Sequence, residues 1–144
     1  MPISGAIGDD QSMTRIENAL LGERLMSARE AAKFINHLDN VGMSGFTGAG
    51  GPKSVPAALA ARAKEFHARG EEFRIGLWTG ASTAPDLDGV LAKAHAIANR
   101  LPYNSDPDLR AQINSGEVDY IEPHLSHSAQ QMLFGFYGKL DVAV

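Results

Sequence analysis

Two small-residue stretches carry the residue types best suited to chemistry. Val41–Ser54 reads V-G-M-S-G-F-T-G-A-G-G-P-K-S and holds Gly42, Gly45, Gly48, Gly50 and Gly51, five of the fifteen glycines in the chain. Glycines between a strand and a helix let backbone approach a ligand closely and turn N–H groups toward negative charge. The stretch therefore reads as an anion or oxyanion cradle lined by Gly48, Ala49 and Gly50. Lys53 could neutralise a carboxylate or phosphate there, although a solvated lysine explains it equally well. A tight loop packed for shape alone would have the same composition. The second stretch, Thr79-Gly80-Ala81-Ser82-Thr83, also ends a strand and is expected beside the first, with Ser82 and Thr83 adding hydroxyls.

Standard nucleotide motifs do not fit. Gly45 and Gly50 have P-loop spacing, but Gly51-Pro52 intervenes before Lys53-Ser54, and proline removes an N–H where a phosphate cradle needs one. Gly48-Ala49-Gly50 begins a dinucleotide fingerprint whose third glycine position holds Lys53. Gly80-Ala81-Ser82-Thr83-Ala84 has the setting of a nucleophile elbow with His124 and His127 downstream, so a Ser82 hydrolase is an alternative. Pro85 crowds that turn, and hydrogen bonding or capping competes for Ser82 and Thr83. His124 and His127 are spaced for a metal, but Glu122 is the only near third ligand, so they read as ordinary histidines. His37, His67 and His95 fall on predicted helices and are expected in solvent. An exposed helix start accounts for Asp86 and Asp88. The Met132–Phe136 stripe reads as core.

These groups need a scaffold, and the pattern predicts alternating strands and helices. Thr14–Gly22 is a weak helical pattern. Ser27-Ala28-Arg29-Glu30 is a capping box opening a helix over Ala28–Leu38. Asn40–Ser44 is a short strand before the glycine loop. Pro56 suits the first turn of a helix over Ala57–Ala68, with Leu59, Ala63 and Phe66 inward and Gly70 as its stop. Phe73–Thr79 alternates as a strand. A helix is predicted through Leu91–Ala98, then an extended Leu101-Pro102-Tyr103. Asp106-Pro107 opens a helix over Asp108–Ser115. Val118–Ile121 is a strand, Ser126–Phe136 a helix and Leu140–Val144 a final buried strand. The fold class is α/β, an open and mainly parallel sheet flanked by helices. Ligands bind such sheets beyond the carboxyl ends of the strands, where both small-residue loops lie. The organisation is a lead-in over 1–25 and an α/β domain over 26–144.

Composition narrows the functions. The 144 residues are 44% hydrophobic and 21% charged, an ordinary globule able to bury a core. A net charge of −4 gives no support to nucleic-acid binding. The absence of cysteine removes disulfides, thiol chemistry and Cys-based metal sites. No run approaches a membrane span, Met1–Ser12 lacks the marks of a secretory signal, and a cytoplasmic setting fits. A free carboxylate closing a buried strand is costly, so the chain is expected to be part of a longer one.

The same residues resemble a known family. Val41-Gly42-Met43-Ser44-Gly45-Phe46-Thr47-Gly48-Ala49-Gly50, Pro52-Lys53 and Val55-Pro56 are similar to the N-terminal domain of the acetyl-CoA hydrolase/transferase family, which includes succinyl-CoA:acetate CoA-transferases. The similarity continues through Thr79–Thr83, Leu87-Asp88-Gly89, Leu101-Pro102-Tyr103, Asn114–Glu117, Asp119-Tyr120, His124–His127 and Gly138-Lys139, covering about Met26–Val144. Gly51 replaces a common aromatic and Ala84 a usual glycine. The resemblance implies two similar α/β domains, of which this is the first. It implies a glutamate nucleophile from the second domain attacking an acyl-CoA thioester, with acyl-glutamyl anhydride and glutamyl-CoA intermediates. No catalytic residue is then expected in this chain, nor a metal, nor a covalently bound cofactor; coenzyme A enters as substrate. Expected partners are acyl-CoA, a small carboxylate such as acetate or succinate, the missing C-terminal domain and, as an open arrangement, a second copy in a homodimer. On that reading Gly48, Ala49, Gly50, Lys53, Ser82 and Thr83 form the acyl and oxyanion site. A non-enzymatic acyl-CoA or carboxylate-binding module is the alternative.

Overall fold

The computed structural model describes residues 17–81 and 84–144. A five-stranded, all-parallel sheet runs in the order β4-β3-β2-β1-β5. The strands are β1 (Asn40–Gly42), β2 (Ile75–Trp78), β3 (Ile97–Leu101), β4 (Asp119–Tyr120) and β5 (Val142–Ala143). Parallel neighbours cannot be joined by tight turns, so helices make the connections. These are α3 (Ser54–His67), α4 (Val90–Ala92), α5 (Pro107–Ser115) and α6 (Leu125–Leu133), preceded by α1 (Ala19–Gly22) and α2 (Ala28–Ala31). The architecture is the α/β class expected. Of the weak pattern at Thr14–Gly22, only the portion from residue 17 lies within the described residues.

Helices α2 to α5 touch one another and form one layer over the sheet. Its core joins Val41, Ile75 and Leu77 to Leu59, Leu87 and Leu91. In α3, Pro56 occupies the first turn, Leu59 and Ala63 are buried, and Gly70 turns the chain at φ +76°. All four residues of β2 are buried, because this central strand is covered on both faces. On the second face the Tyr137 ring meets Trp78 edge-on at 6.2 Å. Leu140 closes over Gly42, where an added Cβ would lie 3.2 Å from the leucine methyl.

Several sequence expectations are corrected. The capping box at Ser27 forms, with the Glu30 N–H donating to Ser27 Oγ at 3.2 Å and the Ser27 N–H donating to Glu30 Oε2 at 2.8 Å. The helix it opens does not reach Leu38. It tightens into a 3₁₀ turn over Ala32–Phe34, and Leu38 lies exposed at φ +66°. Arg62 from α3 donates to the Ala32 and Ile35 carbonyls, and the Asn36 N–H donates to Asp39 Oδ2 at 2.7 Å. Those partners take groups that a continuing helix would pair.

The predicted helix Leu91–Ala98 is largely replaced. A π-turn over Pro85–Gly89 leads into α4, His95 reverses the chain at φ +50°, and Ile97–Leu101 becomes β3. Alanine-rich composition favoured helix. Pairing with β2 on one side and β4 on the other outweighs that preference. The Met132–Phe136 stripe is not core: Leu133, Phe134 and Phe136 are 83%, 71% and 71% exposed. The final strand is not buried either, since Leu140 and Val144 are 44% and 36% exposed and β5 pairs only with β1 among the described residues.

Asp86 is exposed as expected, but Asp88 is fully buried. Its Oδ1 accepts from Arg100 Nε at 3.1 Å, and the Arg100 side chain is itself wholly buried in β3. Arg100 also donates to the Leu101 and Pro102 carbonyls. Burial pushes the guanidinium below its ordinary value, and Asp88 opposes that shift. Removing one partner strands a buried charge, which typically costs about 3–5 kcal/mol. Asp88→Ala should therefore lower stability by that order in urea unfolding, and Asp88→Leu combined with Arg100→Met should recover much of the loss.

Candidate functional site

The candidate site grows from the carboxyl end of β1. After Met43 the chain folds into a short hairpin, with Phe46 N–H donating to Ala49 O at 3.0 Å and Ala49 N–H to Phe46 O at 3.1 Å. Thr47 at the tip has φ +53°, and Gly50 leaves the hairpin at φ +72°. Ser44 Oγ donates to the Gly50 carbonyl at 2.6 Å and closes the base. The loop after β2 supports the hairpin from the side: Ala81 O accepts from Thr47 N–H at 2.9 Å. A Cβ on Gly80 would collide with the Gly45 carbonyl oxygen, so glycine is required for this approach.

The two small-residue loops therefore meet, as the sequence led one to expect. Gly48 and Gly50 are exposed, and a Cβ at either would find open space. Neither N–H makes a hydrogen bond among the described residues. Ala49, expected to line the cradle with them, has its N–H spent inside the hairpin. Ser82 and Thr83 lie outside the described residues. Lys53 immediately precedes α3, its Nζ 3.8 Å from Asp86 Oδ2, and both side chains are mostly exposed. Such a pair is weak and leaves the lysine free to reorient. The first N–H groups of α3 add positive potential at the same end.

Sheet topology favours this position. From β1, strands β2, β3 and β4 are added to one side and β5 to the other. That reversal is where open α/β sheets form a crevice beyond their carboxyl ends. A recess of about 320 Å³ lies there, bounded by Met43, Ser44, Trp78, Met132, Leu140 and Val144. The carboxyl end of the sheet thus carries backbone donors without a partner among the described residues, a lysine before α3 and a largely apolar recess.

The histidines are dispersed. His124 and His127 are exposed, their rings 5.4 Å apart, and His124 Nδ1 lies 2.8 Å from Ser126 Oγ. No cluster of three or more metal-ligating side chains occurs among the described residues. His37 sits in a turn rather than a helix, and its Nδ1 accepts from Arg74 N–H at 3.1 Å. His67, on α3, is half-buried with Nε2 3.2 Å from Phe73 O. His95 lies beyond α4, with Nδ1 2.5 Å from Glu117 Oε1. Tyr120 was not singled out from sequence. Its hydroxyl donates to Glu122 Oε2 at 2.8 Å, and a tyrosine two residues before a carboxylate at a strand end is the signal that could have found it.

Burial, then the Glu122 carboxylate, raises the Tyr120 phenol from 10.0 to about 12. The unfolded phenol ionises first, so this contribution to stability is complete below about pH 10 and is lost as pH rises toward 12. Denaturant unfolding between about pH 9 and 12 should show a shallower alkaline loss for Tyr120→Phe.

Comparison with known proteins finds a family and relatives over most of the chain. The acetyl-CoA hydrolase/transferase N-terminal domain family matches residues 11–144. The chain is 47% identical over 119 residues to a propanoyl-CoA:succinate CoA transferase of Escherichia coli, covering 83% of this chain and 24% of that protein. It is 43% identical over 130 residues to a succinyl-CoA:acetate CoA-transferase of Clostridium kluyveri, covering 90% and 24%. An acetyl-CoA hydrolase of Yarrowia lipolytica is 38% identical over 111 residues, covering 72% and 21%. The chain spans about a quarter of the length of these relatives. With its parallel sheet and the family match across nearly its whole length, the chain belongs to the acetyl-CoA hydrolase/transferase family as an N-terminal domain.

Proposed function

We propose that this chain is the N-terminal part of an acyl-CoA:carboxylate CoA-transferase or acetyl-CoA hydrolase, and that its glycine hairpin holds the acyl oxygen during attack on the thioester. The observation that carries this reading is the pair of exposed glycines, Gly48 and Gly50, whose N–H groups make no hydrogen bond among the described residues, beside the topological reversal of the sheet. A carboxylate adding to a thioester carbonyl converts it to a tetrahedral oxyanion. Fixed amides aimed at that oxygen stabilise it more than they stabilise the ground state. Lys53 holds the carboxylate of the substrate near the hairpin, and the apolar recess takes a short acyl chain. Ser82 and Thr83 contribute hydroxyls from the adjoining loop.

The nucleophilic glutamate belongs to a C-terminal domain outside this chain, and the acyl-CoA and a small carboxylate such as acetate or succinate are the substrates. That division accords with relatives about four times as long. Coenzyme A acts as substrate, and a cytoplasmic setting suits chemistry on acyl-CoA pools. No helix among the described residues is long and apolar enough to cross a membrane.

The purified 144-residue chain should not turn over acetyl-CoA, with or without succinate. Release of free coenzyme A above the uncatalysed rate by the chain alone would contradict the proposal. Gly48→Val should leave the circular dichroism spectrum unchanged, because the position opens on space, and should abolish acetate binding read by NMR. In an enzyme completed by its C-terminal domain, loss of one such donor should lower kcat by roughly 10²–10³-fold. Gly80→Ala should disturb both loops at once, moving the amide signals of Gly45 and Thr47 before any ligand is added.

A further inference from the structure

A groove of about 390 Å³ lies between α3 and the segment formed by α2 and its 3₁₀ turn. Arg29 and Lys33 come from the α2 side, and Arg62, Glu65 and Arg69 from α3 and its end. Ala32, Ala58, Ala61 and Phe66 supply the apolar lining. The groove is set apart from the glycine hairpin. Helix α3 starts at Ser54, just after Lys53, and Arg62 stands roughly 12 Å further along its axis. Arg69 lies past the end of α3, where the chain heads into β2.

Four cations and one carboxylate line this groove, in a chain whose net charge is −4. Glu65 pairs with Arg29 at 3.3 Å. Glu71, from outside the groove, accepts from Arg69 Nε at 3.0 Å and Nη2 at 3.2 Å. Glu30, the acid of α2, is committed to Ser27. Lys33 and Arg62 make no ion pair among the described residues. Arg62 is nevertheless held in place. Its Nη1 donates to the Ala32 and Ile35 carbonyls, and its guanidinium carbon lies 4.7 Å from the Phe73 ring centre and 5.4 Å from that of Phe66. Nε and Nη2 have no hydrogen-bond partner among the described residues. That edge of a guanidinium carries two parallel N–H donors, a match for two oxygens of one phosphate.

We propose that this groove binds a condensed phosphate, either free pyrophosphate or the phosphate tail of a nucleotide. The inference goes beyond the acyl-transfer reading and does not depend on it. Unpaired cations on opposite walls repel each other until an anion lies between them. A monocarboxylate brings one charge, whereas two linked phosphates bring enough to answer both walls. Arg62 takes one phosphate through its Nε–Nη2 edge, and Lys33 reaches the ligand from the α2 side, so that binding ties the two helices together. The volume suits a small molecule. The Phe66 ring is already packed against Arg62, Arg69 and Phe73, so the groove offers charge and not a stacking surface for a base.

Calorimetry of the 144-residue chain with pyrophosphate at low salt tests this. The expected dissociation constant is about 0.1 mM, with ATP within about threefold of it and orthophosphate and acetate weaker by roughly tenfold or more. Raising salt from about 20 to about 200 mM should weaken pyrophosphate severalfold. In NMR spectra pyrophosphate should move the amide signals of Ala32, Ala58, Ala61 and Phe66 and leave Gly48 and Gly50 in place. Lys33→Glu, at an exposed position, should remove binding without altering the circular dichroism spectrum. Arg62→Lys keeps the charge but loses the paired donors, and should weaken pyrophosphate roughly tenfold. If Arg62→Lys unfolds, Lys33→Glu still decides. No heat and no shift up to about 10 mM pyrophosphate overturns the proposal. Orthophosphate binding as tightly as pyrophosphate, or Lys33→Glu binding unchanged, does the same. Tighter binding of a hexaglutamate peptide would reassign the groove to an acidic polypeptide, and movement of Gly48 in step with the groove would merge it with the hairpin site; either result overturns the proposal.

Discussion

A guanidinium sealed inside the sheet constrains the end of the molecule where ligands would arrive. Arg100 lies in β3 with no exposed surface, and three groups meet it: the Asp88 carboxylate and the Leu101 and Pro102 carbonyls. Water is excluded on all sides, so the charge is tolerable only while those acceptors stay in place. Asp88 belongs to the π-turn that follows the β2 loop, and the two carbonyls belong to the exit from β3. One side chain thereby couples the loop ends of two neighbouring strands. The β2 loop in turn holds the hairpin from β1 through Ala81 and Gly80. These points are thus linked in series by hydrogen bonds and direct backbone contact.

The legible parts of the sequence were those where a residue acts on its own neighbourhood. Ser27 and Glu30 cap each other three residues apart, and Asp106 accepts from Asp108 and Leu109 N–H groups at the start of α5. Gly70 and Gly116 stop helices at positive φ. The contact between the two small-residue loops was also readable, because both sit at carboxyl ends of parallel strands. What escaped depends on partners far away in sequence. Nothing local distinguishes A-H-A-I-A-N-R from a helix; β3 exists because β2 and β4 flank it. Asp88 looks like a helix-start acid until Arg100, twelve residues on, is folded beneath it. Nor does anything local show that the Ala49 N–H, in the stretch expected to line the cradle, is spent on Phe46 O inside a hairpin.

Chemical division of labour follows from how the sheet is dressed. One face is sealed by α2 to α5, and the rim above β1 to β4 is left to loops. Along that rim the character changes over a short span. The β1 hairpin presents the Gly48 and Gly50 amides, without a partner among the described residues, the lysine follows before α3, and the β4 exit presents a carboxylate steadied by a tyrosine. Opposite electrostatic preferences sit on loops that share the Ala81 carbonyl region as their boundary.

The exposed flank formed by β5 and the turn after α6 bears on how the chain behaves in bulk. Val142–Ala143 hydrogen-bonds to β1 on one side only among the described residues, and Leu133, Phe134 and Phe136 stand out nearby in sequence with most of their surface in water. Unprotected strand borders template pairing with other chains, and exposed aromatic clusters add a sticky, non-directional attraction. The open edge of β5 and these exposed side chains therefore make this flank the part of the described surface best suited to be covered by further polypeptide.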